Sequence, residues 1–228
     1  MKEKIKLLVY IWTIGLFLGL IFLIFRITRR IKIQGYSRSK LDPKDKGLLL
    51  ISNHPSLWEP ALLPFLFFPW YLFFLKFIPF SVVDKKNYYD KWWFFFLRWC
   101  CIPIERGNSR EEIKAVDAMI ETLRQGRILI LYPEAGRTFK GEEFKVSTLG
   151  KKIRKFPRGL RKLFGATSAP VLSIWTEGGD RVVPNKLAFP RFPHFPFPRI
   201  WRQTIIKIGE PFILRTASKN EIIETLED

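Results

Sequence analysis

The chain is poor in the residues that build most metal and thiol chemistry. It has two histidines, His54 and His194, and two cysteines, Cys100 and Cys101, in 228 residues. Adjacent cysteines cannot form an ordinary disulfide framework, and neither CxxC nor CxxH spacing occurs, so no metal site is expected and a reducing, cytoplasmic setting fits the soluble part. Acids are also scarce: 21 Asp and Glu against 39 Lys and Arg leave a net charge of +18. Such a surface seeks anionic partners, whether lipid headgroups, phosphorylated substrates or nucleic acid. Tyrosine is sparse beside the other aromatics, 6 Tyr against 22 Phe and 8 Trp. Apolar aromatics interleaved with basic residues suit a membrane face better than a nucleic-acid groove, so membrane lipids are expected as partners and nucleic acid is not. Internal repeats and long low-complexity tracts are lacking, and the length suits one domain with accessories.

Charge is missing altogether from residues 7–25, nineteen positions interrupted only by Thr13, Gly15 and Gly19. A helix there is about 28 Å long, close to the hydrocarbon thickness of a bilayer. Arg26, Arg29, Arg30 and Lys32 follow where a signal peptide would carry a small-residue cleavage site. Residues 1–33 are therefore expected to be an uncleaved membrane anchor and 34–228 the folded domain, with 33–46 as a linker. The stronger basic flank is C-terminal, which places the domain on the cytoplasmic face; both flanks are basic, so a helix or hairpin dipping into one leaflet is the alternative.

Apolar runs at 47–51, 78–83, 101–104, 127–132, 169–175 and 203–208 read as strands. Between them, 109–125 is the clearest helix, with Ser109 and Glu112 as a capping box, Gly126 as its stop, and Ile113, Val116, Met119, Ile120 and Leu123 on one face. Residues 88–99 read as a helix with an aromatic face, and 60–77, interrupted by Pro64 and Pro69, as a broken helix pressed to the membrane interface. Residues 189–198 read as loop, and Ser218 caps a final helix. Strands alternating with helices predict an α/β fold with a mostly parallel sheet covered by helices.

The first strand runs into Ile51-Ser52-Asn53-His54-Pro55-Ser56-Leu57-Trp58-Glu59-Pro60. Pro60 suits the start of a helix, so His54 and Glu59 belong to a strand-to-helix connection, where open α/β sheets place chemistry. A neutral imidazole takes a proton from a hydroxyl, and a carboxylate on its other nitrogen fixes the tautomer and steadies the imidazolium. The plainer alternative is a histidine capping a turn, with Glu59 a solvated acid. Two further strand ends carry Arg106 and the run Glu134-Ala135-Gly136-Arg137. In a parallel sheet these lie along one edge, and two arginines there form a fork for a phosphate.

In these motifs, spread over residues 35–215, the sequence resembles the glycerolipid acyltransferases, the family of the 1-acyl-sn-glycerol-3-phosphate acyltransferases. Asn53, His54 and Glu59 match its Asn-His-x4-acid motif, with Glu where Asp is usual. Ile102-Pro103-Ile104-Glu105-Arg106 matches its second block. Tyr132-Pro133-Glu134-Ala135-Gly136-Arg137-Thr138 answers Phe-Pro-Glu-Gly-Thr-Arg-Ser, and Ala169-Pro170-Val171 and Gly209-Glu210-Pro211 answer its later motifs. The family's lysine after the second strand corresponds to Lys85 or Lys86. The resemblance implies a membrane-bound O-acyltransferase that moves a fatty acyl group from acyl-CoA or acyl carrier protein to a lysophospholipid hydroxyl. No cofactor is implied beyond that thioester co-substrate. His54 and Glu59 would be catalytic, with loop N–H groups stabilising the oxyanion; Arg106, Gly136 and Arg137 would bind substrate, and Glu134 would brace the arginines or the glycerol. The retained Arg137 favours 1-acyl-sn-glycerol-3-phosphate, giving phosphatidic acid. Glu59 and the altered third motif leave other lysophospholipids or a lipid A-type glycolipid as alternative acceptors. A non-catalytic, basic, anionic-lipid-binding membrane protein is the rival from another class.

Overall fold

The computed structural model describes residues 2–43, 46–134, 136–137, 144–146, 152–154, 160–184 and 198–213. Helix α1 (Lys2–Tyr10) passes through a π-helical turn, Ile11–Gly15, into α2 (Leu16–Ile27). Within it Leu7–Ile27, 21 residues of mean hydropathy 2.6, is long and apolar enough to cross a membrane by length and composition. There follow β1 (Ile31–Gln34), α3 (Arg38–Leu41), β2 (Leu48–Ser52), α4 (Trp58–Leu62), α5 (Trp70–Phe73), β3 (Pro79–Asp84), β4 (Cys101–Ile104) and α6 (Ser109–Arg124). The chain continues through β5 (Ile128–Leu131), β6 (Phe144–Val146), β7 (Lys152–Arg154), α7 (Leu160–Ala166), β8 (Val171–Glu177), α8 (Gly179–Val182) and β9 (Thr204–Ile208).

Seven strands form one sheet in the order β1-β9-β8-β2-β5-β3-β4. From β8 to β4 every neighbouring pair is parallel; β9 runs antiparallel to β8, and β1 parallel to β9. The α/β, mostly parallel architecture is as expected from the sequence. All five residues of β2 and all four of β5 are buried, as continuous apolar runs in a doubly covered sheet must be. Alternation divides them between two cores. Leu48, Leu50, Ile128 and Ile130 pack with α2, α4 and the aromatic segment up to Ile78. Leu49, Ile51, Leu129 and Leu131 pack with Ala115, Met119, Ile120 and Leu123 of α6 and Leu163 of α7. Burial of each such side chain contributes about 1.5–3 kcal/mol.

Several expectations need correction. Strand β1 spans the end of the expected anchor and the first two residues of the expected linker, its Ile31 and Ile33 following the two-residue period of an edge strand. Asn108, not Ser109, caps α6 by accepting from the Glu111 N–H, and Glu112 reaches back to the Gly107 N–H instead. Ile113, assigned to the core face, is 54% exposed. Residues 88–99 are no single helix: a π-helical turn, Lys85–Tyr89, precedes a kinked 3-10 stretch, Trp92–Trp99. The 60–77 segment is a broken helix, with 3-10 turns Leu63–Phe67 and Leu75–Phe77 around α5. The proline-rich loop with His194, the helix at Ser218 and most of 145–162 lie outside the described residues.

The N-terminal helix lies along the domain. Tyr10 packs against Phe96 and Trp99, Trp12 against Phe73, Phe22 against Phe65 and Phe25 against Trp58. The Tyr71 hydroxyl donates to the Gly15 carbonyl at 2.7 Å, and a Cβ at Gly19 would meet the Phe68 ring at 2.2 Å. Only glycine allows that ring to lie on the helix backbone. The opposite side presents Val9, Phe17, Leu20, Ile24 and Ile27 outward, and Phe73, Phe74 and Leu75 are exposed beside it. This is an apolar face beyond what a water-exposed monomer ordinarily carries.

Candidate functional site

Strand β2 ends between β8 and β5, and its C-terminal turn is locked to both neighbours. On the β8 side the Asn53 carboxamide bridges Thr176: Oδ1 accepts from the Thr176 N–H (2.7 Å) and hydroxyl (2.9 Å), and Nδ2 donates to the Thr176 carbonyl (2.9 Å). On the β5 side the His54 N–H donates to Glu134 Oε1 at 2.9 Å. The imidazole between these anchors is held by its backbone.

Glu59 is fully buried on the second residue of α4, and its Oε2 lies 3.6 Å from His54 Nδ1. That is Coulombic contact; a hydrogen bond needs a shorter approach. The same Oε2 accepts the Ser56 N–H at 2.8 Å, and the Ser56 hydroxyl lies 3.2 Å from both carboxylate oxygens. Trp58 N–H donates to that hydroxyl in turn (3.0 Å). Behind the carboxylate stands Gly179: a Cβ there would lie 1.7 Å from Glu59 Oε1. A buried carboxylate is tolerable because it is clasped in this way. Pro60, expected at the helix start, is the third residue of α4, still where a missing N–H leaves no intrahelical bond unmade.

Tyr132 follows β5, and its ring lies against the His54 ring, centroids 4.7 Å apart and tilted by 37°. Burial, and next the charge of Glu59, push its phenol well above the ordinary value. Gly136 and Arg137, both half-buried, stand at this same strand end. Beyond β5 come β3 and β4. Arg106 Nε lies 3.6 Å from Asp84 Oδ2, its side chain 55% exposed, while Lys85 and Lys86 approach Glu105 at 3.8 and 3.0 Å. The Tyr88 phenol is raised by burial; the charges of Arg137 and Arg106 both oppose that shift, and Asp84 adds to it.

The structure thus brings Glu59 and Glu134 into contact with His54, and the charges of both Arg137 and Arg106 reach Tyr88. Arg106 is the outlier: its strand lies three positions from β2, roughly 14 Å away. Glu134 holds the His54 backbone through its Oε1. Sequence reasoning missed Ser56, Tyr132, Thr176 and Gly179; of these only the Gly178-Gly179 pair after β8 left a signal, as a turn dipeptide. Chemically, an imidazole backed by a clasped carboxylate can accept a hydroxyl proton, and arginines along the same edge can hold an anion.

A sequence model of the Acyltransferase family matches residues 30–177. Among solved structures, the fold is similar to that of the 1-acyl-sn-glycerophosphate (LPA) acyltransferase PlsC from Thermotoga maritima. The TM-score is 0.54 at 18% identity, over 99% of this chain and 95% of that one.

Proposed function

The chain belongs to the acyltransferase family, and we propose that within it this protein transfers a fatty acyl group from a thioester, acyl-CoA or acyl carrier protein, to the free hydroxyl of 1-acyl-sn-glycerol-3-phosphate. The observation that carries this reading is the His54–Glu59 pair at the end of β2 with Arg137 at the end of the adjoining β5. His54 takes the acceptor's hydroxyl proton as its oxygen attacks the thioester carbonyl carbon, and Glu59 stabilises the imidazolium. Collapse of the tetrahedral intermediate breaks the C–S bond, and the thiolate leaves with the proton that His54 holds. Arg137, with Arg106 farther out, binds the acceptor phosphate, and Gly136 lets the backbone approach it; Glu134 fixes the His54 turn. The solved acyltransferase of similar fold is described as acting on LPA, which supports the same acceptor here.

The reading places the enzyme on a membrane. Domain contacts run the length of the N-terminal helix, from Tyr10 to Phe25, so the helix cannot enter a bilayer without carrying its neighbours along. A helix immersed in one leaflet beside Phe73–Leu75, with Arg26, Arg29 and Arg30 at the headgroups and the catalytic edge facing the cytoplasm, fits these contacts.

The test is transfer of labelled acyl groups from both donors to lysophosphatidate, other lysophospholipids and a lipid A-type glycolipid, with products identified by mass. Phosphatidic acid as the main product supports the reading. A preferred phosphate-free acceptor refutes the assignment of Arg137, and binding of anionic lipid without any transfer refutes catalysis.

A further inference from the structure

Acyl transfer drives the electron pair of a thioester C=O onto oxygen, and that oxyanion needs donors waiting for it. Loop N–H groups were expected to supply them. Three N–H groups of the catalytic turn are already engaged: His54 N–H on Glu134, Ser56 N–H on Glu59, and Trp58 N–H on the Ser56 hydroxyl, while Pro55 has none. Among the described residues, two buried side-chain atoms have no hydrogen-bond partner, His54 Nδ1 and the Tyr132 hydroxyl oxygen. Both belong to rings stacked on each other at 4.7 Å. A buried hydroxyl without a partner costs about 1–3 kcal/mol, and here a tyrosine stands where phenylalanine would fill the space without that cost.

The acyl-transfer step offers this hydroxyl a partner. Glu59, whose charge acts on the Tyr132 phenol, is already clasped by Ser56 and closed off by Gly179. A donor to the attacking hydroxyl oxygen would blunt its nucleophilicity. The thioester carbonyl oxygen is an acceptor that arrives beside His54 and gains from a donor as its charge grows. We infer that the Tyr132 hydroxyl donates a hydrogen bond to this oxygen and stabilises the oxyanion as it forms, making Tyr132 a further catalytic residue. Its neutral, protonated state is secured by burial, so the donor persists throughout the working range of the imidazole.

This inference rests on the acyl-transfer reading, and Tyr132→Phe in the full chain, in detergent micelles, separates the two. Transfer to lysophosphatidate is measured beside thioester hydrolysis without acceptor, in which water attacks through the same oxyanion, and beside thermal unfolding. Loss of one oxyanion donor lowers the chemical step about 10²- to 10³-fold. The expected result is a kcat down at least about a hundredfold in both reactions, little change in either KM, and a Tm equal to or above the parent's. Parent rates in Tyr132→Phe overturn the inference alone. A lowered kcat with a lowered Tm and raised KM values overturns it in favour of a packing role. A parent protein inert in both reactions overturns the acyl-transfer reading, and the inference with it.

Discussion

Gly179→Ala tests whether the clasped carboxylate matters to catalysis. A methyl at this position would stand 1.7 Å from Glu59 Oε1, 2.9 Å from its Cδ and 3.2 Å from the Ser56 hydroxyl. To reach even the 3.0 Å floor for such contacts, the carboxylate must recede by at least about 1.3 Å. A solvated glutamate would swing aside at little cost. Glu59 is fully buried, and its other oxygen is held by the Ser56 N–H at 2.8 Å. It must therefore slide out of the clasp and lose its alignment with His54 Nδ1. At an effective dielectric constant of about 20, lengthening that contact from 3.6 Å to about 5 Å removes about 1.3 kcal/mol of imidazolium stabilisation, roughly tenfold in rate. Misplacement of a supporting group by about 1 Å can cost about a hundredfold. Turnover at saturating donor and acceptor should therefore fall about 10- to 100-fold. Glu59→Asp shortens the side chain by one methylene and vacates the space, so the double variant should be less impaired than the product of the two single losses. Gly165→Ala, whose added Cβ meets nothing within 4 Å, is the matched control and should keep parent activity. Full turnover in Gly179→Ala would refute the coupling between Glu59 and His54, since the carboxylate would then be free to move without consequence.

Three more predictions follow from the same geometry. His54→Ala should lower turnover about 10²- to 10⁴-fold while flotation with anionic vesicles stays at the parent level; near-normal turnover would remove His54 from the chemistry. Arg137→Lys should raise the KM for a phosphorylated acceptor more than Arg106→Lys does, because β5 adjoins β2 whereas Arg106 follows a strand three positions away; equal loss with phosphate-free acceptors would make both arginines structural. Gly19→Leu must displace the Phe68 ring, so the N-terminal helix should become accessible to protease and the Tm should fall, and an unchanged digestion pattern would mean that the helix is not docked there.

Legibility in the sequence followed the range of the interactions. Strand β2 and the His54–Glu59 spacing could be read because a buried run, a turn and a helix start are local features. Helix α6 was legible for the same reason, though its cap and its outermost apolar residue were not: Asn108 and Ser109 are chemically equal candidates until the backbone is seen. Thr176 and Gly179 act through contacts that the chain closes only on folding, 123 residues apart for Asn53 and Thr176; Ser56 bonds Glu59 only three residues on, but nothing in its identity told that clasp from an ordinary turn. Tyr132 looked like a conservative variant of phenylalanine, and only its burial turns the extra hydroxyl into a question.

The N-terminal run shows the deeper ambiguity, because an apolar helix reads the same whether lipid or protein covers it. Hydropathy identified the helix and was silent on which side docks. The small residues Gly15 and Gly19, first taken as interruptions, are where Tyr71 and Phe68 approach the backbone. Strand β1 was hidden in the basic flank, its Ile31 and Ile33 masked by a reading of the positive charges as a topology signal. Trp58 then joins the N-terminal helix to the His54 turn. Its ring packs on Phe25 of α2, its indole N–H donates to Thr204 of β9 at 3.0 Å, and the next residue is Glu59. A shift of the helix against the domain should therefore reach the carboxylate beside His54. An anchor that merely tethers could be exchanged for any other apolar helix. This one shares a core with the site, so its replacement should lower turnover even where membrane attachment is preserved.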